Sequence, residues 1–340
     1  MSNLKENYLK NLSDNTGLLT LCIVLFAAAV TAACLVFPVE TQITNFSLVM
    51  PERNAWRLTP FARVLINNAI IFTCSLLMIR LCNKFSLIRN RTIFPALFFL
   101  LFEGSNPGLT TELNTGNLLV FIFILSLFVL YSSYQYPEPQ KFAFGISLMT
   151  SVGALLWPPY LFFLPVFWIG TFLMRAFTFK SFLASLMGIV TTIWVIFCLH
   201  WITELKLYPQ NVWDMISGID IVKPDRLDII QTLWLVFTAL IGILTIIGNL
   251  YRHYNDKTRV RASNGFINVV LICSLAAAAL HFSEADTYMP ILNACIALQC
   301  AHYFTHSKTR ISIILFYIVI FLYLILFIWS LFQHSASGAI

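Results

Sequence analysis

GLLTLCIVLFAAAVTAACLVF (residues 17–37) runs directly into PVETQITNFSLVMPERNAWRLTPFAR (residues 38–63). The first part carries no charge over a length that, as a helix, crosses the hydrocarbon core of a bilayer. The second part is abruptly polar and holds Glu40, Glu52, Arg53, Arg57 and Arg63. An uncharged span followed by a charged loop sets the reading of the whole chain, because the pattern then repeats to its end.

Of 340 residues, 59% are hydrophobic and only 11% are charged, and mean hydropathy is +0.81. Soluble domains carry about 25% charged residues, so a water-soluble fold is excluded. Eleven apolar segments follow one another: Gly17–Phe37, Phe61–Cys82, Thr92–Phe102, Asn117–Tyr134, Phe142–Trp157, Tyr160–Met174, Phe182–Ile202, Ile229–Tyr251, Asn264–Phe282, Tyr288–Phe304 and Ile311–Phe332. The expectation is an all-α polytopic transmembrane helical bundle of about eleven spans, since each helix satisfies its own backbone in lipid. Pro158-Pro159 removes backbone donors between two of these segments and predicts a tight reversal there. No repeat or linker divides the chain, so residues 1–340 read as one integral-membrane domain. Within it, residues 1–16 form a cytoplasmic interfacial segment, 38–60 the first external loop and 203–228 a long external loop. The sequence TAAC ending at Cys34 is read as part of an uncleaved signal anchor.

Charge sets the orientation. Threading eleven spans from a cytoplasmic N-terminus puts fifteen of the 21 basic residues inside, among them Arg80, Lys84, Arg89 and Arg91 in one turn and Lys257, Arg259 and Arg261 in another. This is the distribution expected of cytoplasmic loops. The net charge of +6 follows the loops and does not point to nucleic acid. Trp56, Trp157, Trp201, Trp213, Trp234 and Trp329 fall at outer ends, where an interfacial belt of indoles is expected. The eight cysteines show no C-x-x-C and no zinc spacing, so they read as small hydrophobes within spans.

The first external loop is the richest in chemistry. Carboxylates at a membrane surface act as general bases or hold a divalent cation, and Glu40, three residues beyond the first span, is the leading candidate, with Glu52 second. Arg53 and Arg57 lie four apart, and Arg63 opens the second span with Asn67 four residues on. Planar guanidinium groups bind phosphate oxygens through two bonds at once; equally, such side chains reach lipid headgroups or pair with nearby glutamates. His281, Glu284 and Asp286 bring ligand atoms together at another outer helix end, while His200, His253, His302 and His306 read as interfacial. No Gly-rich phosphate loop or Ser-His-Asp set is present.

FSLIRNRTIFPALFFLLF (residues 85–102) and WPPYLFFLPVFWIGTFLMRAFTFKSFLASLMGIV (residues 157–190) resemble an uncharacterised family of multi-spanning membrane proteins from Bacteroidetes-type bacteria. More distantly, the layout is similar to the GT-C superfamily of membrane glycosyltransferases: a cytoplasmic N-terminus, one span, an acid-bearing external loop, then many spans. That resemblance implies a location in the bacterial inner membrane and a polyprenyl-phosphate-linked sugar as donor. It also implies a catalytic acid in the first external loop, where Glu40 and Glu52 are the acids; Arg53, Arg57 and Arg63 are the residues whose chemistry suits them to hold donor phosphate. The adjacent acid pair and the large soluble C-terminal domain of many such enzymes have no counterpart here. A non-catalytic membrane subunit of an envelope assembly and a small-molecule transporter stand as alternatives.

Overall fold

The computed structural model describes residues 16–36, 58–88, 92–203, 229–252, 257–306 and 310–337. Among these residues the regular structure is helical. Eleven helices exceed a single turn: α1 Thr16–Val36, α2 Pro60–Phe85, α3 Phe94–Gly104, α4 Thr115–Ser132, α5 Gln140–Leu156, α6 Phe163–Leu173, α7 Phe179–Thr203, α8 Ile229–Arg252, α9 Thr258–Leu280, α10 Ala285–His306 and α11 Arg310–Ser337. Each of the eleven apolar segments therefore contains one of these helices.

Seven of them (α1, α2, α4, α7, α8, α9 and α11) are long and apolar enough to cross a membrane, which makes the chain a multi-pass membrane protein. The helices α3 and α5, and the unit of Pro158–Phe162 with α6, are apolar but shorter. The expected Pro158-Pro159 reversal is present. Tyr160 folds back on Gly153, where an added Cβ would strike its ring, and Gly170 at the far end of α6 meets Phe266 of α9 and Leu130 of α4. The Gln135 amide then donates to the Met174 carbonyl at 3.1 Å, tying the α4–α5 turn to the end of α6.

Two elements form the centre. Helix α10 is buried along nearly its whole length, from Ala285 to Phe304. The short α3 is enclosed as fully, with Phe94, Phe98, Phe99 and Phe102 at 0% exposure. Their rings lock against the neighbours: Phe98 stacks on Phe304 at 5.4 Å, Phe94 meets Phe316 at 5.5 Å, and Phe102 meets Tyr323 at 4.7 Å. By contrast α7 leaves Leu183, Met187, Val190, Ile193, Trp194, Phe197 and Trp201 exposed, and α11 leaves Ile314, Ile318, Phe321, Ile325 and Phe332 exposed. Such stripes suit lipid, where an apolar side chain loses nothing by facing outward.

Glycine fixes the closest approaches. At Gly188 of α7, a Cβ would lie 2.8 Å from the Phe144 carbonyl of α5. At Gly116, in the first turn of α4, it would lie 2.7 Å from the Thr287 carbonyl of α10. Small residues let helix backbones meet in this way within membranes.

The helix ends divide into two poles. Arg80, Lys84, Lys141, Arg175, Lys180 and Arg310 are exposed at one pole. There Arg259 donates to the Tyr131 carbonyl at 2.9 Å and its guanidinium lies 5.2 Å from the Phe85 ring. The other pole gathers the end of α1, the start of α2, the α3–α4 connection and the α9–α10 turn.

Candidate functional site

Glu40, Glu52, Arg53 and Arg57 lie outside the described residues, as do Trp56, Trp213 and His253. Arg63 is described. It sits half-buried in the first turn of α2, its Nε enclosed and without a hydrogen-bond partner. One turn further on, Asn67 is wholly buried and belongs to a polar cluster that fills the break between α3 and α4.

That break is the principal finding at this pole. The polar stretch from Glu103 to Gly116, with Asn117 beyond it, joins two apolar runs of the sequence, yet Glu103, Ser105, Asn106, Thr110, Thr111, Asn114 and Asn117 are all buried. A buried irregular backbone needs a partner for each of its polar groups, and asparagine side chains supply them. Asn67 donates to the Leu109 carbonyl at 2.8 Å, and Asn117 donates to Asn67 Oδ1 and to Leu109 O, both at 2.9 Å. Asn68 donates to the Thr110 carbonyl at 3.0 Å. Asn106 and Asn114 accept from the amides of Gly108 and Gly116, closing the two turns. At the rim the Cys34 thiol of α1 meets Thr110 Oγ1 at 3.1 Å.

Glu103 ends α3 at the base of this cluster. Its Oε1 accepts from Asn293 Nδ2 of α10 at 2.9 Å, while its Oε2 and Asn293 Oδ1 have no hydrogen-bond partner. Two tryptophans expected in an interfacial belt point inward instead. Trp234 is 1% exposed and donates to Ser105 Oγ at 2.9 Å. Trp157 is 0% exposed and donates to Glu284 at 2.7 Å. Indole N–H groups find partners when buried, and here the partners are the polar groups of the break and of the α9–α10 turn. Trp201 and Trp329 remain exposed, as a belt requires.

The α9–α10 turn is a second polar set. His281 lies between Phe162 and Tyr288, its ring stacked on each at 6.2 Å, with Nδ1 3.1 Å from the Tyr288 hydroxyl. Burial lowers the His281 pKa. Burial raises that of Glu284, with the Trp157 N–H acting in the opposite direction. His281, Glu284 and Asp286 do not converge: among the described residues no three His, Cys, Asp or Glu side chains are grouped to hold a metal. His302 is buried rather than interfacial, its Nδ1 3.3 Å from Asn249 Oδ1. The cysteines are free, with Cys34, Cys74, Cys82, Cys295 and Cys300 buried and Cys22 exposed.

A groove of about 260 Å³ runs between α1, α2 and α3. Its walls are built from Phe26, Ala27, Ala28, Thr31, Asn68, Ala69, Phe72 and Gly104, so it is mostly apolar, and Thr110 also lines it. It exists because Ala27, Ala28 and Ala69 have no side chain large enough to close it. Two of the three helices that form it, α1 and α2, are joined by residues 37–59.

Comparison with family models, with curated proteins and with solved structures returned no match to this chain. The fold itself defines the class: an α-helical multi-pass membrane protein with a polar helix break enclosed at one pole.

Proposed function

We propose that the chain is a GT-C-like glycosyltransferase of the bacterial inner membrane, acting on the periplasmic side with a polyprenyl-phosphate-linked sugar as donor. The observation that carries this reading is the groove between α1 and α2. It is mostly apolar, it lies among helices with lipid-facing surfaces, and two of its three helices, α1 and α2, are joined by residues 37–59. A prenyl chain in this groove would bring its phosphate toward Arg63 and the loop. In that loop Arg53 and Arg57 hold the donor phosphate, and Glu40, with Glu52, is the acid that activates the acceptor or holds a divalent cation.

Two measurements test it. A photoreactive polyprenyl phosphate should crosslink to the wild-type protein in membranes and lose that crosslink in Ala69→Trp, which fills the groove. Glu40→Gln and Arg57→Ala, at normal protein levels, should change the envelope glycan profile as deletion does. A profile altered by deletion and by neither substitution would end the catalytic assignment and leave the non-catalytic envelope subunit.

The helix break favours a second reading, small-molecule transport. Polar side chains and interrupted helices enclosed within a membrane bundle commonly mark a substrate path, and the hydrogen-bonded pairs Glu103–Asn293 and Asn67–Asn117 are both buried. Net uptake of a solute by proteoliposomes, with no glycan change on deletion, would select it.

A further inference from the structure

We propose that Glu103 and Asn293 form a proton-binding site in the core of the bundle. This site follows from a balance of donors and acceptors and is independent of the glycosyltransferase reading. An ionised carboxylate has only acceptors, and the oxygen of a carboxamide is an acceptor too. Asn293 Nδ2 already donates to Glu103 Oε1 at 2.9 Å. What remains of the pair is Glu103 Oε2 and Asn293 Oδ1, both buried and both without a hydrogen-bond partner. Both residues are at 0% exposure. A single proton taken from water onto Oε2 forms an O–H bond there and turns that oxygen into a donor. The acid and the amide then close a two-bond ring, N–H to Oε1 and O–H to Oδ1, and both orphaned acceptors are satisfied together.

The surroundings suit a neutral carboxyl. From α1, Phe26 and Val30 pack at Gly104, the residue after Glu103. From α2 the nearby titratable group is the Cys74 thiol. On α11 it is the Tyr323 phenol, against Phe102 and hydrogen-bonded to Thr238 of α8, and on α10 Cys300 lies near Tyr323. From α8, Trp234 approaches at Ser105. None of these side chains is a base that could pair with an ionised carboxylate. The site therefore works as a latch: protonated, it ties the end of α3 to α10 and fixes the start of the buried 105–114 connection, and ionised, it loses a bond and repels the amide oxygen.

The test is infrared difference spectroscopy of the purified protein in lipid nanodiscs. A protonated-carboxyl C=O band should be present at neutral pH and be missing from Glu103→Gln. Because glutamine presents both a donor and an acceptor to Asn293, Glu103→Gln should keep its unfolding midpoint within about 2–4 °C of wild type. Should that variant fail to fold, Asn293→Ala serves instead: the band stays but moves to higher frequency, because its acceptor is gone. Three results would overturn the proposal. They are a wild-type protein without the band, a band unmoved by Asn293→Ala, and a sodium-dependent rise in midpoint that Glu103→Gln abolishes, which would make the occupant a metal cation.

Discussion

Glu284 and His281 lie three residues apart in one turn and respond to burial with opposite sign. Burial holds Glu284 above the ordinary carboxylate range, so the folded protein grips this proton more tightly than the unfolded chain does. The stability it contributes is whole below the ordinary carboxylate range and is lost as pH rises through the raised value. His281 is held below the ordinary imidazole range; its contribution is present above that range and is lost as pH falls through the lowered value. Glu284→Gln keeps an oxygen for the Trp157 N–H and removes the first titration alone. Thermal unfolding in detergent from about pH 4 to about pH 8 should show the variant gaining on wild type as pH rises. Parallel curves would show that burial of Glu284 carries no penalty for its charge. At this scale the sequence is least legible. Asn67, Asn117 and Asn293 look like isolated polar residues in apolar runs, and only the fold brings two of them onto the Leu109 carbonyl and the third onto Glu103. A usable signal was there: an asparagine within a span needs a partner, and these spans hold several.

At the level of the helix, packing decides more than propensity. Helices α5 and α7 run side by side over their length because Gly188 admits the Phe144 carbonyl and its flanking turn. Gly188→Val would force these backbones apart, at a cost of about 1–3 kcal/mol typical of overpacking. The check is the denaturant midpoint in detergent, with Gly145→Val as the control, since a Cβ there meets only the Val129 side chain at 3.6 Å. Equal losses in both would remove the special role of Gly188. Helix existence was readable from apolar runs, and the Pro158-Pro159 reversal from the missing donors. The inward turn of Trp157 and Trp234 was not, because indole position along a chain says nothing of which way the ring faces. The burial of 105–114 was also hidden: a run of Gly, Asn, Pro and Ser reads as a surface turn unless the side chains that satisfy it, drawn from α2 and α8, are known.

For the molecule as a whole, the division of charge between poles makes sidedness testable. With the basic pole facing the cytoplasm, a cysteine placed at Glu40 should react with a membrane-impermeant maleimide added to intact spheroplasts. One placed at Lys141, exposed at the basic pole, should react only after permeabilisation. The reverse pattern would put the first loop in the cytosol and remove the site from the proposed enzyme. The general architecture was plain in the sequence because a bilayer imposes length and polarity on each helix. What could not be read was which helices face lipid. Asn293, Gln299 and His302 lower the apolar character of α10, and it is not among the seven helices fit to cross a membrane by composition; yet it occupies the centre.

That position has a consequence for how the protein is made. A helix with Asp286, Asn293, Gln299 and His302 partitions poorly into lipid by itself, and it leaves the ribosome after α3, α4, α8 and α9, against which it packs. Those four must wait with their inward faces uncovered until residue 306 has been synthesised. Helix α11 then closes over Phe94, Phe98 and Phe102, so a chain stopped before residue 285 holds six of its seven membrane-crossing helices and lacks its keystone.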